Sequence, residues 1–151
     1  MVDKVSKKAR SYNMSRIRST NTKPEQLVRK FLFSKGFRYR KNVPQLPGNP
    51  DIVLPKYDTI IFVNGCFWHM HENCSVASMP KSNQDFWIPK LTGNKKRDMK
   101  NISALKGLGW HVIVIWECEL KKKVRDARLE LLVQELNLNF YEDLSNRLNN
   151  L

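Results

Sequence analysis

The chain has 151 residues, 41% of them hydrophobic, which suits one domain with one core. Lys and Arg number 27 against 14 Asp and Glu, a net charge of +13. A surplus of that size in a chain able to fold points to a polyanion as partner, the plainer reading being a soluble basic protein. No apolar run approaches the roughly 18 residues of a membrane span, Met1-Val-Asp-Lys opens no secretory signal, and three cysteines do not make a disulfide framework. The expectation is a cytoplasmic protein with no membrane role.

The chain opens basic: Lys4, Lys7, Lys8, Arg10, Arg16 and Arg18 stand against the single acid Asp3. Residues 1–20 read either as a frayed terminus or as an arm in a DNA groove, with Arg16 on phosphate and Met14 or Ile17 as an apolar wedge. Thr22-Lys-Pro-Glu25 is a capping box, so Glu25 has a structural explanation of its own. Leu27, Val28, Phe31 and Leu32 follow at helical spacing, and Gly36 ends the helix. Phe37–Lys41 alternates like a strand with one basic face, Asn42–Asn49 is a Pro- and Gly-set loop, and Pro50–Pro55 is a short strand opening with Asp51. A carboxylate at a strand mouth either caps a turn or holds a metal.

Thr59–Val63 is β-branched or aromatic throughout and reads as buried on both faces, until Asn64-Gly65 stops it. Gln84–Ile88 begins a helix that Pro89 and Gly93 are expected to interrupt, and a second helix runs from Asn94 with Met99, Ile102 and Leu105 inward. Trp110–Trp116 is the strongest strand signal, and Glu117-Cys118 ends it. A last helix spans Val124–Leu136, with Val124, Ala127, Leu131 and Leu132 as its apolar side, and residues 137–151 form a tail. No repeat or linker divides the chain, so residues 1–151 are expected to form one domain.

Two cysteines and two histidines crowd the nine residues after Gly65. Cys66, His71, Cys74 and Cys118 fit a closed tetrahedral zinc set, with His69 as the alternative imidazole and three unrelated buried thiols as the plainer reading. If the strands at 51–55 and 59–63 pair, Asp51 lies across from Val63 and Asn64, where a carboxylate and backbone carbonyls suit magnesium. His69, if free of zinc, would be a base toward a metal-held water. Phe67, Trp68 and Trp87 are either core aromatics or, in so basic a chain, surfaces that stack on or between bases.

At Thr22-x-x-Glu25, Leu46-Pro-Gly-x-Pro-Asp51, Gly65-Cys-Phe-Trp-His69, His71, Cys74, Phe86-Trp87, Asn94-x-x-Arg97-Asp98 and Val114-Ile-Trp-Glu-Cys118 the chain resembles the very-short-patch mismatch repair endonucleases (Vsr). The resemblance covers roughly residues 10–120. It implies an α/β, restriction-endonuclease-like fold, a mixed β-sheet flanked by helices with a structural zinc site. It implies a monomer that nicks one strand of double-stranded DNA at a T·G mismatch left by 5-methylcytosine deamination, alongside mismatch-repair proteins. By that resemblance Asp51 and the Val63 carbonyl bind Mg2+, and His69 serves in catalysis with Glu25 and Asp98 near the active centre, while Asn64 is a further site residue able to hydrogen-bond phosphate or water. Cys66, His71, Cys74 and Cys118 hold Zn2+. Met14, Arg16, Ile17, Phe67, Trp68, Trp87, Lys95 and Arg97 meet DNA. The chain departs from better-known members at Val63-Asn64, where they carry Thr-His, and in one extra residue between His71 and Cys74. A nuclease for intact duplex and a non-catalytic zinc-stapled DNA-binding module are the competing readings.

Overall fold

The computed structural model of the chain describes residues 21–151. Helix α1, Lys23–Ser34, starts where the Thr22 hydroxyl accepts the Glu25 N–H at 3.3 Å. The expected box is displaced by one residue: the Glu25 carboxylate accepts the N–H of Asn21, at 2.8 Å, rather than that of Thr22. Four strands follow, β1 (Arg40–Lys41), β2 (Ile52–Leu54), β3 (Thr59–Asn64) and β4 (His111–Trp116), adjacent in that order. The strand expected over residues 37–41 is thus only two residues long. β1, β2 and β3 pair antiparallel, and β3 and β4 pair parallel, so the sheet is mixed.

The sheet is covered on both faces. Ile52 and Leu54, Ile61 and Val63, and Ile113 and Ile115 point to one side, where they meet Val28 and Leu32 of α1 and Leu129, Leu132 and Leu136 of the last helix. The alternate residues Val53, Ile60, Phe62 and Val112 meet Leu105 of the long crossover helix on the other side. This two-residue alternation, with apolar residues at both phases, is why β3 carries no exposed side chain. A leucine as fully buried as Leu32 contributes about 1.5–3 kcal/mol by leaving water.

The crossover helix α2 runs unbroken over Gln84–Gly107, through Pro89. The expected break does not occur because the carbonyl that Pro89 leaves without a helical partner belongs to Asp85, in the exposed first turn, where solvent can satisfy it. Leu105 is buried as expected, but Met99 is exposed. The last helix, α3, spans Arg125–Asn149, so most of the segment read as a tail continues the helix. Its buried side is Leu129, Leu132 and Leu136: of the expected set Leu132 is buried, whereas Val124, Ala127 and Leu131 are exposed. No helix among the described residues is long and apolar enough to cross a membrane.

Candidate active site and metal centre

The β2–β3 hairpin brings Asp51 to the end of β3. The Val63 N–H donates to Asp51 Oδ2 at 2.8 Å, as the expected pairing requires. Burial, together with the nearby Glu25 carboxylate, pushes the Asp51 carboxyl up to about 7 despite the Val63 hydrogen bond. Such an uncompensated carboxyl is a hard-cation ligand in waiting. Glu25 itself is 2% exposed and paired with Arg29 at 3.2 Å, and Arg29 also donates to the Asn21 side chain.

Asp51 and Glu25 open into a cleft of about 640 Å³ that Val63, Asn64, His69, Asp98, Trp68 and Arg97 also line. His69 Nδ1 lies 2.5 Å from Asp98 Oδ2, the carboxylate coming from α2. That contact fixes the neutral ring with its proton on Nδ1 and leaves Nε2 as the acceptor. Asn94, one turn before Asp98, donates from Nδ2 to the Trp68 carbonyl at 3.0 Å and accepts from Arg97, so α2 also fixes the aromatic loop. Gly48 supplies the far wall. Its φ is +82°, and a Cβ there would approach Asn101 at 3.1 Å and Phe62 at 3.2 Å, so any side chain at this position is strained.

The second centre lies in the same loop. Tight turns return the His69 N–H to the Gly65 carbonyl at 3.2 Å and the His71 N–H to the Cys66 carbonyl at 3.0 Å. Met70 between them has φ +50°, a left-handed conformation rare for a side chain of its kind. His69 faces Asp98, whereas His71 stacks on Trp116 at 4.0 Å and 7° with Nδ1 3.5 Å from Cys118 Sγ. Ligand atoms of Cys66, His71, Cys74 and Cys118 all lie within 4.8 Å of one another. Metal–ligand bonds of about 2.0–2.3 Å in a tetrahedron put ligands about 3.3–3.8 Å apart, so these four could hold one ion after a small contraction. Burial pushes the Cys66 thiol up to about 12, and a cation is what would make it a thiolate there.

The aromatics cluster at the cleft rim. Phe67, Trp68 and Trp87 lie 5.2–5.8 Å apart between ring centroids, and Phe86, 58% exposed, abuts Trp87 at 5.0 Å. Lys95 pairs with Glu72 at 2.8 Å, so its charge is partly committed within the protein. Met14, Arg16 and Ile17 lie outside the described residues. Reading the residues alone missed Arg29, Asn101 and Glu117. Arg29 follows Glu25 by one helical turn, a spacing that signals an ion pair. Glu117 lines the cleft because β3 and β4 are parallel and Asn64 pairs with Trp116, the residue before it. Asn101 lies two turns after Asn94 on α2, a face that no apolar pattern marks.

Residues 2–75 match the model of a family described as DNA mismatch endonuclease Vsr. The chain is 53% identical over 137 residues to "Type II nicking enzyme V.NmeAIP" of Neisseria meningitidis serogroup A / serotype 4A, covering 90% of this chain and 97% of that protein. It is 47% identical to "Type II nicking enzyme V.XorIIP" of Xanthomonas oryzae pv. oryzae, over 80% of this chain and 88% of that one. To "DNA mismatch endonuclease Vsr" of Escherichia coli (strain K12) it is 37% identical, over 89% and 87% respectively.

Proposed function

The chain belongs to the Vsr family of DNA mismatch endonucleases, and from that premise we propose that it nicks one strand of duplex DNA at a T·G mismatch left by deamination of 5-methylcytosine. It is an endonuclease acting on DNA; the mismatch, the ions and the residue roles are our reading. The observation that carries it is one cleft holding the half-buried Asp51 carboxyl beside the His69–Asp98 pair.

Asp51 and the main-chain carbonyl of Val63 would hold Mg2+, and Zn2+ would occupy the Cys66, His71, Cys74 and Cys118 set. When bound there, magnesium would supply counter-charge for the phosphoryl oxygens and make a water more acidic. His69 would take the water's proton through Nε2 as the water oxygen bonds to phosphorus and the P–O bond of the nicked strand breaks, the leaving oxygen departing as an alkoxide that a solvent water protonates. Asp98 then stabilises the imidazolium. Arg29 keeps Glu25, the second carboxylate of the cleft, in place, and Asn64, a neutral amide, orients phosphate or water by hydrogen bonds only. Phe67, Trp68 and Trp87 offer faces for a destacked base step, and Arg97 and Lys95 meet phosphate. In this reading the protein works as a monomer in the cytoplasm, its 151 residues forming one nuclease domain with a DNA-contacting arm over residues 1–20, in company with mismatch-repair proteins.

The test is single-turnover nicking of two duplexes that differ only in T·G against C·G, with and without Mg2+. The expected result is magnesium-dependent nicking of the mismatched duplex alone. Equal nicking of both would favour an intact-duplex nickase, the reading suggested by relatives named nicking enzymes. Binding without nicking in any divalent ion would leave only a DNA-binding module.

A further inference from the structure

Lys121, Lys122 and Lys123 are consecutive and exposed, and none forms an ion pair with a described residue. Their place in the fold separates them from an ordinary solvated run. Parallel pairing delivers the ends of β3 and β4 to the same edge of the sheet, so the residues just after Trp116 lie beside the cleft. Glu117 lines that cleft, and Cys118 belongs to the Cys/His cluster. Glu117–Leu120 is a tight 3-10 turn, so four residues at about 2 Å of rise put Lys121 only about 8 Å further on. α3 then leads back to the far edge, where Asp143 meets His111 at 2.9 Å and Arg147 meets Asp58 at 3.4 Å. The lysines therefore stand at the cleft edge, and the acids Asp58 and Asp143 stand at the opposite one.

The ledge that carries them is held from three sides. Glu119 Oε1 accepts the Trp116 N–H at 2.8 Å, and Arg128 of α3 pairs with Glu119 at 3.0 Å and with Glu135 at 2.8 Å. Cys118 anchors the same turn to His71. A fixed row of cations next to a nuclease cleft loses little backbone freedom when it meets a polyanion. Lysine meets phosphate as a point charge and reads no base edge.

We infer that Lys121, Lys122 and Lys123 form a second contact surface, distinct from the cleft, for the phosphate backbone of the duplex a few nucleotides from the nicked bond. It is a sequence-independent anchor, and it rests on the reading of the cleft as the DNA site. Equilibrium binding of the full chain to duplex, measured across salt concentrations, tests it. Substituting all three positions by Gln (Lys121→Gln, Lys122→Gln and Lys123→Gln together) should flatten the plot of log affinity against log salt by about 2 to 3. The flattening should be the same for mismatched and paired duplexes, and three Lys→Arg changes should restore the wild-type slope. Metal content and melting temperature check that the fold is intact. Should the triple variant fail to fold, each single Lys→Gln change should still lower the slope by about 1. A slope equal to wild type in every variant overturns the inference and leaves the cleft reading standing. A wild-type chain with no salt dependence would instead overturn the cleft reading.

Discussion

Three cysteines and a histidine close on one point in the Cys66–Cys118 cluster, whereas the neighbouring cleft gathers oxygen donors around an open space. Both draw a histidine from one loop, and His69 and His71 go separate ways with only the left-handed Met70 between them. The difference lies in donor softness and closure. Thiolates surrounding an ion would leave no position for a substrate, which suits a structural role for that centre. Carboxylates on an open cleft would leave sites for water and phosphate, which suits the proposed chemistry. Each should therefore fail differently.

The sharpest division is expected from Asp51→Ala. Nicking should fall by about a thousandfold or more, since metal counter-charge is worth several kcal/mol, while the melting temperature and the Cys/His metal content stay as they were. Near-wild-type nicking would move the search to Glu25 and Asp98. His69→Ala should lower single-turnover nicking by about 10²–10⁴ with duplex affinity preserved in a binding titration. Loss of affinity in parallel would make His69 a binding residue instead.

Cys74→Ala, or chelation of the metal, should show the opposite pattern. The melting temperature should drop by about 10 °C, the equivalent of about 3 kcal/mol in a chain of this length, and nicking should decline only as folded protein is lost. An unchanged melting curve with metal absent by elemental analysis would reduce the cluster to three neighbouring thiols. Gly48→Ala tests the cleft wall. It should destabilise by about 1–2 kcal/mol in denaturant titration, from its positive φ and the Asn101 and Phe62 contacts. The smallest effect is expected at Asn64→Ala, about tenfold or less in nicking, because an amide there offers a hydrogen bond and no proton transfer. A loss as large as that of His69→Ala would make Asn64 the residue that positions the water or phosphate.

The parts of this molecule legible from its sequence are those governed by neighbours in the chain. Thr22 and Pro24 announced α1, and the β2–β3 hairpin placed Asp51 by Val63 because a short connection leaves few registers. The soft donors also stood out, as few other roles explain so many in nine residues. What escaped depended on solvent exposure or on partners far off in sequence. Pro89 looked like a helix end, yet exposure of the Asp85 carbonyl removes the reason to stop. The inward side of α3 is chosen by the sheet, which takes Leu129, Leu132 and Leu136 and leaves Leu131 to solvent. The Asp98 contact to His69 joins residues 29 apart, and nothing local to either indicates it.

The parallel join of β3 and β4 also has a consequence in time. Cys66 and Cys118 are separated by roughly fifty residues, and the edge on which the cleft depends forms only once that long segment closes. During synthesis the Asp51 hairpin and the His69 loop leave the ribosome well before β4 does, at about 5–20 residues per second. For those few seconds a nascent chain holds the proposed site residues without the platform that would aim them. With that site, a DNA-cutting protein assembled in this order would lack an aimed centre until its fold is nearly complete.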